Sequence, residues 1–250
     1  MKNIINIISL MAIALFGQAQ QISETAVTFL CDVTDQAVFT AIENDFNQNL
    51  NFFFSNTGTG AIDYGQSLTI RMGVIDASDQ LTMQSRSIAL TDRRVSRKEA
   101  ERQRNPRPLL EMISSELVRY KQLSETTMSS SPIIDVTLKA FREMNTKARE
   151  IFVICTDGVE YSNYGNFYRN IPNTEQTVEK FIEKLDPLLL AESKEKVASA
   201  DHEVAVVIVL KPNERANSIT QLKQFYNLFF HYLGVNTVRF IDNLSNNPNL

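Results

Sequence analysis

The sequence predicts an α/β fold, a Rossmann-like doubly wound, mostly parallel sheet with one antiparallel edge strand and helices on both faces. Three observations carry that prediction. Residues 26–33 (AVTFLCDV), 150–156 (EIFVICT) and 204–210 (VAVVIVL) are mostly apolar runs of strand length, the pattern of strands buried on both faces. Stretches with helical spacing separate them, as parallel strands require. One pair of strand-like segments is joined by five turn-forming residues, which reads as a hairpin and adds the antiparallel edge.

The elements follow in order. After the strand at 26–33, residues 36–50 place Val38, Phe39, Ile42, Phe46 and Leu50 on one helical face, with Asp35 near the start where a carboxylate suits the helix dipole. Residues 56–60 (NTGTG) are loop by composition. Residues 67–75 and 81–90 form the expected hairpin around 76–80 (DASDQ). Residues 91–108 are the most charged stretch, with seven basic residues interrupted by Asp92, Glu99 and Glu101. A solvated helix with internal ion pairs is the expectation there, with an acidic partner as the alternative. A helical pattern resumes over 109–123. Serines 129–131 break it, and Pro132 suits the first turn of a helix running to about Lys147. The strand at 150–156 leads into a polar loop at 159–172. A helical stretch of about 20 residues follows, which Pro187 kinks or ends. The strand at 204–210, a helix near 219–233 and a strand near 237–241 precede an Asn-rich segment, 243–250, expected to be a flexible tail.

Hydrophobic residues make up 43% of the 250 and charged residues 22%, enough apolar material for one domain with a substantial core. The formal net charge of −4 leaves no global attraction for nucleic acid or anionic lipid. Lys2, the apolar run 4–16 and the small residues Gly17 and Ala19 form the pattern of a secretory signal peptide cut after Ala19. A buried first helix is the alternative; the run is short for a membrane span, and no later segment suits one. The expected organisation is therefore a signal peptide at 1–19, one domain at 20–242 and the tail, in a chain exported to the periplasm or beyond the cell. Cys31 and Cys155 fall at similar depth on strands expected to be neighbours. Two buried thiols are favoured over a disulfide, which would need unusual geometry.

In an open sheet of this kind, sites form beyond the carboxyl ends of the strands where the topology switches. Two acidic residues hold matching places there: Asp32 near the end of the first strand and Asp157 after the fourth. Ser131, at the start of the helix before the fourth strand, arrives at the same edge. His202 and His231 have no ligand spacing. Tyr161, Tyr164, Phe167 and Tyr168 occupy the loop beyond Asp157, either as loop packing or as an aromatic rim to the site.

With Asp32-x-Thr34-x-Gln36 after the first strand and Thr156-Asp157-Gly158 after the fourth, residues 24–242 resemble the von Willebrand factor A-type (vWA) family. That family's metal-ion-dependent adhesion site has Asp-x-Ser-x-Ser, a loop Thr and a later Asp. The resemblance implies a divalent-cation site, Mg²⁺ or a similar ion, built from Asp32, Thr34, Gln36, Ser131 and Asp157. Gln36 departs from the pattern, because its long side chain must fold back to ligate, and Ser129 and Ser130 replace the usual Gly-Gly. The alternative is a degenerate site in which the two carboxylates only cap helices or loop amides.

The function so implied is a protein-binding module, an envelope accessory engaging another protein through the strand-end face and an acidic side chain of that partner, and not an enzyme. Two other classes compete. A metal-dependent phosphohydrolase would place Asp-x-Asp after the first strand, where this chain has Thr34. A purely structural domain would have no working cation site. No Walker loop, Gly-x-Gly-x-x-Gly fingerprint or Ser–His–Asp arrangement is present.

Overall fold

The computed structural model describes residues 23–56, 62–78, 81–90, 94–126, 130–211 and 219–246. The signal-peptide segment 1–19 and parts of the 56–60 loop, the hairpin turn, the 129–131 break and the C-terminal tail lie outside them. The elements run β1 (Ser23–Asp32), α1 (Gln36–Asn56), β2 (Gln66–Ile75), β3 (Met83–Leu90), α2 (Arg97–Gln103), α3 (Arg107–Ser124), α4 (Ile133–Arg142), β4 (Arg149–Thr156), α5 (Glu175–Ile182), α6 (Pro187–Ala198), β5 (Ala205–Leu210), α7 (Ile219–Tyr232) and β6 (Thr237–Ile241). They form a six-stranded sheet of order β3-β2-β1-β4-β5-β6. Every pairing is parallel except β2 with β3, the antiparallel edge. This is the α/β arrangement expected from the sequence.

Strand alternation divides the core in two. Leu30, Phe152, Ile154, Val206 and Ile208 face α4, α5, α6 and α7. Val27, Phe29, Cys31, Val153, Cys155 and Val207 face α1 and α3. Both sheet faces are therefore covered, which is why the central strands are apolar at nearly every position. β3 differs: most of its residues are exposed or half-buried, and Arg86 and three other polar side chains keep that edge hydrophilic.

Several boundaries differ from the expectation, each for a packing reason. α1 runs on to Asn56 because Phe53 and Phe54 close around Phe29, with ring centroids 5.6 and 6.4 Å away. The long helical stretch after the 159–172 loop is two helices, divided just before Pro187 as expected. Asp186 caps the second through Leu188 N–H (2.8 Å) and Leu189 N–H (3.2 Å), and Pro187 is its first residue. The charged stretch contains α2 and the start of α3, tied by Arg97–Glu101, Arg102–Glu99 and Arg107–Glu111 pairs. α4 stops at Arg142 rather than near Lys147.

The domain also extends past 242. Leu244 is fully buried, and its N–H donates to both Asp45 carboxylate oxygens (3.0 and 3.2 Å). Lys211 pairs with the same carboxylate at 2.7 Å. Residues 243–246, read as tail, are thus tied to α1. Cys31 and Cys155 stand opposite one another in register as free, buried thiols. Burial, and next the Cys31 thiol itself, push the Cys155 thiol well up. Among the described residues no helix is long and apolar enough to cross a membrane.

Candidate functional site

β1 is the point where the sheet changes direction. The chain leaves it toward β2 on one side and returns to β4 on the other, so the carboxyl ends of β1 and β4 open a crevice. The register pairs Cys31 with Cys155, which sets the next residues, Asp32 and Thr156, beside each other.

Asp32 is the centre of a hydroxyl cluster. Its Oδ1 accepts from Thr34 N–H (3.0 Å) and Thr34 Oγ1–H (2.6 Å). Its Oδ2 accepts from Thr156 Oγ1–H (2.7 Å) and Ser131 Oγ–H (3.3 Å). Ser131 is held there by a two-bond bridge to the loop after β4: its N–H donates to Tyr161 C=O (2.7 Å), and Tyr161 N–H donates to Ser131 C=O (3.0 Å). Thr156 Oγ1 also accepts from Gly158 N–H at 3.0 Å. Gly158 has φ +81, and a Cβ there would lie 3.0 Å from Leu210, so this turn favours glycine.

Asp157 is buried, and its Oδ1 accepts from Val159 N–H at 2.8 Å. Gln36 is placed differently. Asp35 caps α1 through Ala37 N–H (2.8 Å) and Val38 N–H (3.1 Å), which starts the helix at Gln36 and leaves that residue exposed. No hydrogen bond joins Gln36 to the Asp32 cluster. Of the five residues expected at the site, Asp32, Thr34 and Ser131 are joined directly. Asp157 follows Thr156 in the chain, and Gln36 stands outside the hydrogen-bonded group.

Sequence inspection quoted Thr156 in its motif without giving it a site role, and missed Glu160 and Tyr226. Glu160 is fully buried, and its Oε2 accepts from Ile134 N–H at 2.9 Å. It thereby caps α4, whose own N-cap residue, Pro132, offers no side-chain acceptor. Oε1 is buried without a hydrogen-bond partner. Burial pushes the Glu160 carboxyl up to about 7, opposed by the Ser162 hydroxyl and by Ile134 N–H. Burial also raises the Asp32 carboxyl, opposed by its Thr34, Thr156 and Ser131 donors. The Tyr226 hydroxyl donates to Gly158 C=O at 3.0 Å. Its pKa is pushed well above the usual range, first by burial and then by Glu160, Asp157 and Asp32. Only the spacing of Asp157 and Glu160, three residues apart beyond a strand end, hinted at this acidic concentration.

Chemically, the cluster is a set of hard oxygen donors. Each hydroxyl gives its proton to Asp32 and keeps lone pairs on oxygen, one of which Thr156 spends on Gly158 N–H. Neither Asp32 nor Glu160 has a Lys, Arg or His partner among the described residues. Buried carboxylates without a counter-charge, beside hydroxyl oxygens, suit a hard divalent cation. The donor set therefore fits the ion that the family resemblance implies, with Gln36 as the exception.

Beside Ser131 lies an open polar cavity of about 370 Å³, lined by Ser130, Asp135, Tyr161 and Ser162 among others. Tyr161 is 41% exposed and meets Tyr168 edge-on, with centroids 6.1 Å apart. Phe167 is core instead, packed against Phe181 and Phe225. The two histidines sit toward the opposite edge of the sheet, His202 before β5 and His231 at the end of α7.

Comparison with family models and with curated proteins gives no match. Among solved structures, the chain is similar to the pilus adhesin SpaC from Lactobacillus rhamnosus GG. The TM-score is 0.43 and the identity 12%, over 93% of this chain and 30% of the adhesin. It is also similar to the human COPII-coat protein Sec24c, with a TM-score of 0.38 and 10% identity over 91% of this chain and 31% of the other. The chain thus spans less than a third of the length of either.

Proposed function

We propose that this chain is an exported, non-enzymatic protein-binding module of the vWA type, engaging its partner through the face at the carboxyl ends of β1 and β4. The observation that carries the reading is the convergence of Thr34, Ser131 and Thr156 on the buried carboxylate of Asp32 at the sheet's switch point. A divalent cation such as Mg²⁺, held by Thr34, Ser131 and the carboxylates of Asp32 and Asp157, would supply an electropositive point for an acidic side chain of the partner. The protein's own part is to keep that point dry and pre-ordered: the Ser131–Tyr161 bridge fixes one donor, and the Asp32-x-Thr34 turn fixes another. Tyr161 and the polar cavity beside it give the partner an aromatic rim.

Calorimetric titration of the purified protein with Mg²⁺ and Mn²⁺, repeated on Asp32→Ala, tests the cation. Saturable heat in the native chain and none in the variant is expected. No heat in the native protein sinks the cation reading and leaves a structural domain. Export is tested separately, by sequencing the N-terminus of protein recovered outside the cytoplasm, where a start at Gln20 is expected.

A further inference from the structure

A helix start leaves amides without an intrahelical partner, and four helices here answer them locally. Asp35 serves α1, Ser96 serves α2, Thr174 serves α5 and Asp186 serves α6, each from the residue just before the helix. α4 is served from a distance. Its own sequence, Ser131-Pro132-Ile133-Ile134, has the means to do otherwise. A serine followed by proline suits an N-cap followed by the first helical residue, and a serine oxygen reaches the amide three residues on. The Ser131 hydroxyl instead points to Asp32 Oδ2, 3.3 Å away. The helix begins one residue later, after Pro132, which offers no side-chain acceptor. Asp135, in the first turn, pairs with Lys139 at 2.6 Å. The Ile134 amide donates to Glu160, 26 residues further along the chain, at 2.9 Å.

Burying a carboxylate to cap one helix is a costly solution where a serine stands beside the amide. One Glu160 oxygen even remains buried without a hydrogen-bond partner. What the arrangement secures is the orientation of Ser131. An Oγ accepting from Ile134 N–H would face the helix and spend a lone pair there. With Glu160 in that role, the hydroxyl faces Asp32 and keeps its lone pairs. Residues 160 and 161 thus fix Ser131 in two ways. Tyr161 holds its main chain through bonds of 2.7 and 3.0 Å, and Glu160 removes the amide that competes for its side chain.

We propose that Glu160 is a positioning residue for the Asp32 site: by capping α4 in place of Ser131, it frees the Ser131 hydroxyl to ligate a cation beside Asp32. The ligation half rests on the cation reading above, and the capping half does not.

The test is a double-mutant cycle between Ser131→Ala and Glu160→Met, which keeps the side-chain length without a strong acceptor. Thermal melts in EDTA read the capping half. With Glu160 gone, Ser131 takes over the Ile134 amide. Ser131→Ala should then lower the melting temperature roughly twice as far, or more, in Glu160→Met as in the native chain, because it strands a buried amide. Mn²⁺ titration reads the other half. Glu160→Met should weaken binding by about tenfold, as loss of an outer support does, and Ser131→Ala should add little to that loss. Glu160→Gln, whose amide oxygen still accepts, should stay within about twofold of the native affinity. Equal drops in melting temperature in the two backgrounds overturn the proposal, as does native Mn²⁺ affinity in Glu160→Met. Coupled melts with no Mn²⁺ binding by the native chain support the capping and sink the cation reading. If Glu160→Met does not fold, Pro132→Asp is added to place an acceptor at the N-cap itself; recovery of folding supports the proposal, and no recovery overturns it.

Discussion

The two ends of the sheet handle buried carboxylates in opposite ways. At the amino end, Glu150 is wholly buried, but Arg71 Nη1 donates to both of its oxygens at 2.9 and 3.0 Å. Asn145 N–H adds a third bond at 2.8 Å, and Asn145 also ties Glu24 into the same group. Burial raises the Glu150 carboxyl, and Arg71 opposes that rise in part. At the carboxyl end, Asp32 and Glu160 are equally buried, but they receive hydroxyls and amides instead of a cation. A carboxylate matched to an internal guanidinium has its charge cancelled within the fold. One left with neutral donors keeps either its proton or an appetite for an external cation. The first end balances its buried charge within the fold, and the second leaves buried carboxylates among neutral donors.

Cutting Arg71 back to Ala tests the amino end most severely, because it strands a buried charge. A loss of about 3–5 kcal/mol in urea denaturation at neutral pH is expected, shrinking on acidification as Glu150 takes a proton. A loss below 1 kcal/mol would erase the contrast between the two ends.

Glu160→Gln should move stability the other way. The folded-state pKa of about 7 lies above the ordinary carboxyl value of 4.5, so the native state holds the proton more tightly than the unfolded chain. Stability from this group is therefore greatest below the unfolded value and falls as pH rises through about 7. The amide should flatten that fall and stabilise the protein at pH 7.5 by roughly 1–3 kcal/mol. Thermal melts across pH 4.5–8 would read it; an unchanged slope would mean that Glu160 is not the group that titrates.

The smallest effect is expected from Ser131→Ala. It removes one 3.3 Å hydrogen bond and should cost about 0.5–1.5 kcal/mol of stability. Under the proposed cation site it should also weaken Mn²⁺ binding by about tenfold, since one oxygen ligand goes. A normal Mn²⁺ affinity in this variant would take Ser131 out of the cation site while leaving its structural role.

Much of this arrangement was legible along the chain. The central strands announced themselves because burial on both faces excludes polar residues from 26–33, 150–156 and 204–210, and hairpin chemistry marked the antiparallel edge. Asp32 and Asp157 could be placed together at one end of the sheet because each closes an apolar run of strand length. Gln36 was placed at the site by pattern alone; the competing cap at Asp35 takes the amides of Ala37 and Val38 and turns Gln36 outward. Glu160 had only its spacing from Asp157 to mark it, since its pKa depends on a loop folding over it.

By itself the sequence determined the layers, the order of apolar strands and the presence of carboxylates at two strand ends, because hydrophobic period and turn chemistry act locally. Tertiary structure alone decided which carboxylates meet an arginine and which meet only hydroxyls. Desolvation and pairing depend on which parts of the chain come together in space, and that is set only when the sheet closes its register and the loops settle over its end.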